Sequence, residues 1–151
     1  MKKLFALFAV VVLGMAFVSC GDDKDEPVKP EPLGNLESVY ENANDKHYLF
    51  DIDLNKDSSS IYIYNVQFAP SAPLLTIRID APVVVDRSGK IYTFAGTGIA
   101  PFMQRQSVFL PMTDEQYQVT DLLCNVNTEA KTYDIKFDCH GGHFEDAGRL
   151  K

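Results

Sequence analysis

The clearest pattern in the chain is alternation. Tyr48, Phe50, Ile52 and Leu54 are separated by Leu49, Asp51, Asp53 and Asn55, a period of two with one apolar face and one largely acidic face. Asn55-Lys56-Asp57-Ser58-Ser59 is turn chemistry. Residues 61–66 then resume an extended pattern of β-branched and aromatic residues, which Ala69-Pro70-Ser71-Ala72-Pro73 ends as a loop, since proline cannot donate to a ladder. Leu75, Ile77 and Ile79 alternate with Thr76, Arg78 and Asp80. Val83-Val84-Val85 runs into Asp86-Arg87-Ser88-Gly89, which predicts a hairpin turn with Gly89 at positive φ, and residues 91–95 return. Residues 117–126, a loop at 127–131 and residues 132–139 predict a second hairpin. On its last strand Tyr133, Ile135 and Phe137 face one way and Asp134, Lys136 and Asp138 the other. Residues 96–111, with prolines at 101 and 111, show no readable period.

Helix signals are few. Leu36, Val39, Tyr40 and Ala43 have helical spacing after a cap at Asn35 and predict one or two helical turns before the first strand. Thr113-Asp114-Glu115-Gln116 is similar to a capping box, but the residues after it read as strand. No connection carries a helical pattern of the length a βαβ unit needs. Short strands at close spacing predict an all-β fold, an antiparallel meander that closes or half-closes into a small barrel.

The first 35 residues follow different rules. Lys2 and Lys3 precede residues 4–18, which carry no charge. That stretch is shorter than the roughly 20 residues needed to span a bilayer, and it reads as a secretory signal peptide. The junction Phe17-Val18-Ser19-Cys20 resembles the lipobox of bacterial lipoproteins, with Phe17 in place of the usual leucine. The resemblance implies a lipoprotein signal peptide at 1–19 and lipidation of Cys20. The acidic run Gly21-Asp22-Asp23-Lys24-Asp25-Glu26 resembles the surface-export signal of Bacteroidota lipoproteins, which implies an outer-membrane protein facing the cell surface. Between residues 21 and 32 there are five acids, two lysines and three prolines, a composition that cannot bury enough surface to offset its ordering entropy. Residues 20–35 therefore read as the lipidated cysteine with an acidic, proline-rich tether, and residues 36–151 as one folded domain.

Composition narrows the function. With 151 residues the chain is sized for one domain, and a net charge of −7 argues against nucleic acid as a partner. Tyr62-Ile63-Tyr64-Asn65-Val66-Gln67-Phe68, the hairpin at 117–139 and the terminal Gly148-Arg149-Leu150 resemble the small calycin-like, lipocalin-related domains of Bacteroidota lipoproteins, over most of residues 61–151. That resemblance implies an antiparallel β-barrel with an apolar cavity and supplies no catalytic residues.

Several groups are candidates for chemistry. Asp51-Ile52-Asp53-Leu54-Asn55-Lys56-Asp57 spells D-x-D-x-N-x-D, but Lys56 and Tyr62 stand where an EF-hand needs glycine and glutamate. A strand-end calcium site of another kind and a charged strand edge that resists pairing are the two readings left. Cys139, His140 and His143 gather one thiol and two imidazoles into five residues, a ligand set suited to zinc or copper, with Asp138 or Glu145 nearby. The alternative is a Gly-Gly turn with histidine on its wet side. After lipidation Cys124 and Cys139 are the thiols left. A simple hairpin places Cys124 opposite residues 133–134 and Cys139 opposite 118–119, about five residues apart at ~3.3 Å each, beyond the ~7 Å reach of a disulfide. Two buried, reduced thiols are expected. Tyr62 and Tyr64 share one face of a strand whose other face holds Ile61 and Ile63. Either the strand is covered on both sides, or a tyrosine pair is exposed to stack on a sugar or anchor a protein.

Neither G-x-S-x-G nor H-E-x-x-H occurs, and the histidines are His47, His140 and His143. The sequence thus predicts a lipid-anchored, non-enzymatic binding or accessory module of the cell envelope, without a cofactor. It has two alternatives: a carrier of a small apolar ligand in a barrel cavity, and a metal-binding protein or enzyme using the Cys139–His143 cluster. A carrier needs roughly 300 Å³ or more of apolar space, which an interior packed with Phe and Ile would deny.

Overall fold

The computed structural model describes residues 33–34, 36–39 and 47–151. The signal peptide, Cys20 and the tether lie outside the described residues, as do Asn35, Tyr40 and Ala43. The described elements in chain order are β1 (Leu36–Val39), β2 (His47–Asp51), β3 (Ser59–Val66), β4 (Leu75–Ala81), β5 (Val83–Val85), β6 (Ile91–Gly96), β7 (Phe102–Arg105), β8 (Val108–Pro111), β9 (Thr120–Asn127), β10 (Thr132–Cys139) and β11 (Gly142–Leu150). One 3-10 turn, Glu115–Tyr117, lies between β8 and β9. The fold is all-β, and every strand pairing is antiparallel.

The strand order is β5-β6-β9-β10-β11-β1-β2-β3-β4-β7-β8. β1 pairs with β2 on one side and β11 on the other, which divides the order into two sheets sharing that strand. The first sheet runs from β1 to β8 and the second from β1 to β5. β5 and β8 end the order and do not pair, so neither sheet closes into a barrel. Yet only Pro82 separates β4 from β5, and the chain steps there directly from the first sheet to the second.

The expected helical turns at Leu36 and Val39 are instead strand β1. Leu36 lies opposite Phe50 and Ser38 opposite Leu150, so both neighbours satisfy its backbone, and Leu36 packs against the core. One or two helical turns would leave most terminal groups unpaired, and the ladder wins. The capping-box-like run yields only the 3-10 turn, where Asp114 makes no side-chain cap bond. Within the unreadable 96–111 stretch, β7 and β8 form a hairpin whose turn places Gln106 at φ 55°. A glutamine in a left-handed turn position gives no sequence signal.

The inward side chains of both sheets form one core. Ile61, Ile63, Ile77 and Ile79 come from the first sheet, and Phe94, Cys124, Val126, Ile135 and Phe137 from the second. Phe50 bridges them, its ring 6.3 Å from Phe94 and 5.3 Å from Tyr133. Each such side chain contributes about 1.5–3 kcal/mol on burial. Two bulges keep the apolar residues inward. In β3 the register shifts between Ile63 and Val66, with Asn65 at φ 60°, and Val66 returns to the core. In β9 a shift against β10, with Asp121 at φ 52°, does the same for Val119 and Leu122. The β5–β6 turn follows the sequence reading, with Gly89 at φ 70°. Asp86 holds that turn, accepting from the amides of Ser88, Lys90 and Ile91 and from the Ser88 hydroxyl, and these bonds lower its pKa to about 2.

Candidate functional site: an open cavity at one end of the sheets

Three connections converge at one end of the molecule: the loop after β3, the segment between β8 and β9, and the β10–β11 turn. The last is a tight hairpin with His140 at φ 51° and Gly141 at φ 72°, the left-handed pair that a two-residue turn of this hand requires. It lays the His140 ring on Tyr117, with centroids 4.7 Å apart and planes within 16°. Phe68 stands edge-on to Tyr117, His140 and Phe144 at 5.8, 5.9 and 6.0 Å, and Phe144 stacks on Phe137 at 4.9 Å. The Cys139 thiol donates to the Tyr117 carbonyl, 3.2 Å away, which ties the turn to the 3-10 segment.

Beside this cluster lies an open cavity of about 540 Å³. Its walls are mainly apolar, with Phe68, Leu75, Met103, Pro111 and Met112 among them. Two charged residues, Arg105 and Asp114, also line it. Neither forms an ion pair among the described residues. The cavity lies beside the core: between the sheets, Phe50, Phe94 and Tyr133 fill the middle with ring contacts.

The hairpin that carries Cys139, His140 and His143 sends them in three directions. Cys139 points into the core at 3% exposure, and burial pushes its thiol pKa up to about 11. His140 stacks on Tyr117. His143 points outward, its Nδ1 2.5 Å from Asp138 Oδ1 and its Nε2 3.8 Å from Glu145 Oε2. The hydrogen bond with Asp138 raises its pKa. Among the described residues no group of three His, Cys, Asp or Glu side chains is placed to hold a metal ion.

Cys124 and Cys139 are both buried and unbridged. Cys124 lies opposite Ile135, within one residue of the expected register, and burial raises its pKa as well. In the D-x-D-x-N-x-D segment Asp53 is engaged locally: Oδ1 accepts from the Asn55 amide at 3.0 Å, and Oδ2 lies 3.2 Å from Lys56 Nζ.

Tyr62 and Tyr64 lie on the outer face of the first sheet, half-buried, while Ile61 and Ile63 fill the core. In register with Tyr62 stand Leu49, Arg78 and Phe102. Tyr62 meets Phe109 edge-on at 5.5 Å. The Arg78 guanidinium lies 4.2 Å above the Phe102 ring and 5.3 Å from Phe109, and pairs with Asp80 through Nε and Nη2, both at 3.0 Å. The strand is covered from the side, by neighbours on the same sheet.

Sequence reasoning passed over Phe68, Arg105, Asp114 and Tyr117. Phe68 follows β3, Arg105 ends β7, and Asp114 and Tyr117 belong to the 3-10 segment, so no single stretch of sequence holds the set. Comparison of the chain with protein-family models, with curated proteins and with solved structures gave no match.

Proposed function

We propose that this chain is a non-enzymatic binding module of the cell envelope, held on the outer membrane by acyl chains on Cys20 and facing the cell surface, with the open cavity as its binding site. The cavity carries this reading. Its volume of about 540 Å³ falls within the roughly 300–1,000 Å³ of small-molecule sites, and a few polar groups on an apolar wall are the usual lining of such sites. Around it the chemistry favours holding over reacting. The Cys139 thiol beside it is buried, protonated at neutral pH and engaged with a carbonyl. Acyl chains contribute about 0.8 kcal/mol per buried methylene, so the domain needs no membrane-binding surface of its own.

The domain itself is a half-open, calycin-like barrel in this proposal. Two features support it: the wholly antiparallel pairing through β1, which joins the first strand to the last, and the direct run of β4 into β5 through Pro82. The second reading, a carrier of a small apolar ligand, is favoured by the cavity volume, with the ligand seated at the barrel's mouth rather than in its packed centre.

The test is native mass spectrometry of the chain purified from its host's membranes. We expect a diacyl or triacyl mass on Cys20 and a co-purifying molecule that is lost in Ala69→Trp, since Ala69 is part of the cavity wall and the substitution places a large ring there. Processing that is insensitive to globomycin would remove the anchor. A ligand retained unchanged in Ala69→Trp would remove the cavity as the site.

A further inference from the structure

We infer that this chain pairs with a second copy of itself through the free edge of β8, extending the first sheet across a two-fold axis at Phe109. The pairing does not depend on the cavity being a binding site. Among the described residues β8 pairs with β7 alone and stands at one end of the strand order. The hairpin register decides which backbone groups it leaves free. Val108 closes the two-residue turn against Arg105, and the Met112 amide donates to the Pro101 carbonyl at 2.8 Å. Antiparallel pairs alternate between bonded and unbonded, so Val108, Leu110 and Met112 turn their backbone groups toward β7. The Phe109 amide and carbonyl and the Pro111 carbonyl point the other way, to the open edge.

Three features fit that edge to a second copy. It is undefended: residues 106–113 carry no charge, and Val108 and Leu110 are 57% and 50% exposed. Edge strands are ordinarily guarded against pairing by charge or by shortness. β5, at the other end of the order, has only three residues, between Pro82 and Asp86. The β8 edge is also its own complement. A two-fold axis at Phe109 sets the Phe109 backbones of the two copies to exchange two hydrogen bonds. It places Val108 of each copy opposite Leu110 of the other, so the exposed apolar side chains cover one another. The same axis at Leu110 meets backbone groups already turned to β7, and at Pro111 it meets a residue with no amide to give, which fixes the register. Finally, the uncharged edge lies between Arg105, before the turn, and Asp114, past the far end of β8. Antiparallel copies bring the cationic end of each toward the anionic end of the other. This pattern matches itself in reverse, which singles out a copy of this chain over an unrelated strand.

The experiment is native mass spectrometry and thiol cross-linking of the full chain, purified from its host's membranes in detergent micelles. We expect a dimer whose dissociation constant rises about tenfold in Leu110→Lys, which puts a charge into the apolar pair. Leu110 is exposed, so the fold tolerates the change, and an unchanged urea midpoint checks that. Under oxidation Phe109→Cys should cross-link to its own copy, because directly facing residues lie about 5.5 Å apart. Val108→Cys should not, since it faces position 110 of the second copy. A mixture of Val108→Cys and Leu110→Cys should cross-link as a heterodimer. A chain that stays monomeric as its concentration is raised would overturn the inference. So would a dimer that is indifferent to Leu110→Lys, or one in which Val108→Cys cross-links to its own copy as readily as Phe109→Cys does.

Discussion

The two sheets share a core but turn different outer faces to their surroundings. Across the first sheet, one register row reads Leu49, Tyr62, Arg78, Phe102. Across the second, an equivalent row reads Thr93, Asn125, Asp134, Ala147. In the second row the side chains hydrogen-bond in series, Thr93 to Asn125 at 2.9 Å and Asn125 to Asp134 at 2.9 Å, as a face open to water does. In the first row the single cation is stacked on rings and paired with a carboxylate that the Ser60 hydroxyl also reaches at 2.7 Å. An antiparallel sheet with one wet face should alternate apolar and polar. The second sheet follows that rule along β10, and the first departs from it. The outer face of the first sheet is therefore packed as well as solvated, and its residues are expected to contribute more stability than outer residues of the second.

Substitutions can break that contrast. The largest effect is expected where the shared core admits no atom. A Cβ at Gly148 would lie 2.7 Å from the Tyr133 ring and hydroxyl, so Gly148→Ala should cost about 2 kcal/mol in urea unfolding. Next is Arg78→Ala on the first sheet. It removes two ring contacts and leaves Asp80 without its cation, at an expected cost of about 1–2 kcal/mol. Smaller again is the effect of Asp146, a carboxylate on β11 that accepts from the Tyr48 hydroxyl at 2.9 Å. Burial raises its pKa to about 6 from 3.8. The folded state thus holds this proton more tightly than the unfolded state. The resulting stability is fully present below pH 3.8 and is lost as pH rises through 6. The group is half-exposed, so solvent screening leaves about 1 kcal/mol of it. Asp146→Asn should stabilise the chain at pH 7 and flatten its melting temperature between pH 4 and 6. The smallest effect belongs to Lys136→Ala on the outer face of β10, within about 0.5 kcal/mol. Equal costs for Arg78→Ala and Lys136→Ala would show that the two faces do not differ energetically.

Much of the fold was legible in the chain itself. The alternations at Tyr48-Phe50, at Ile77-Ile79 and along Tyr133-Ile135-Phe137 place those residues in the core, and Gly89 sits at the expected turn. The β1 reading failed because four residues of helical spacing cannot outweigh a strand paired on both sides. The β7–β8 hairpin was illegible because its turn uses Gln106, and prolines 101 and 111 read as breakers. Of the candidate site, the sequence marks His140 and Cys139, and it marks them for metal chemistry rather than for the stack and the hydrogen bond they make with Tyr117.

What the sequence determines by itself is everything carried by period and turn chemistry: extended segments and their inward and outward sides. These are local, set by backbone geometry and by how an apolar row must hide from water. Tertiary structure alone decides which rows become neighbours. Leu49, Tyr62, Arg78 and Phe102 lie on four strands, and Phe68, Arg105 and the Asp114–Tyr117 pair on three segments. Register and bulges bring each set together, because antiparallel pairing joins residues by their place in the ladder and not by their distance along the chain.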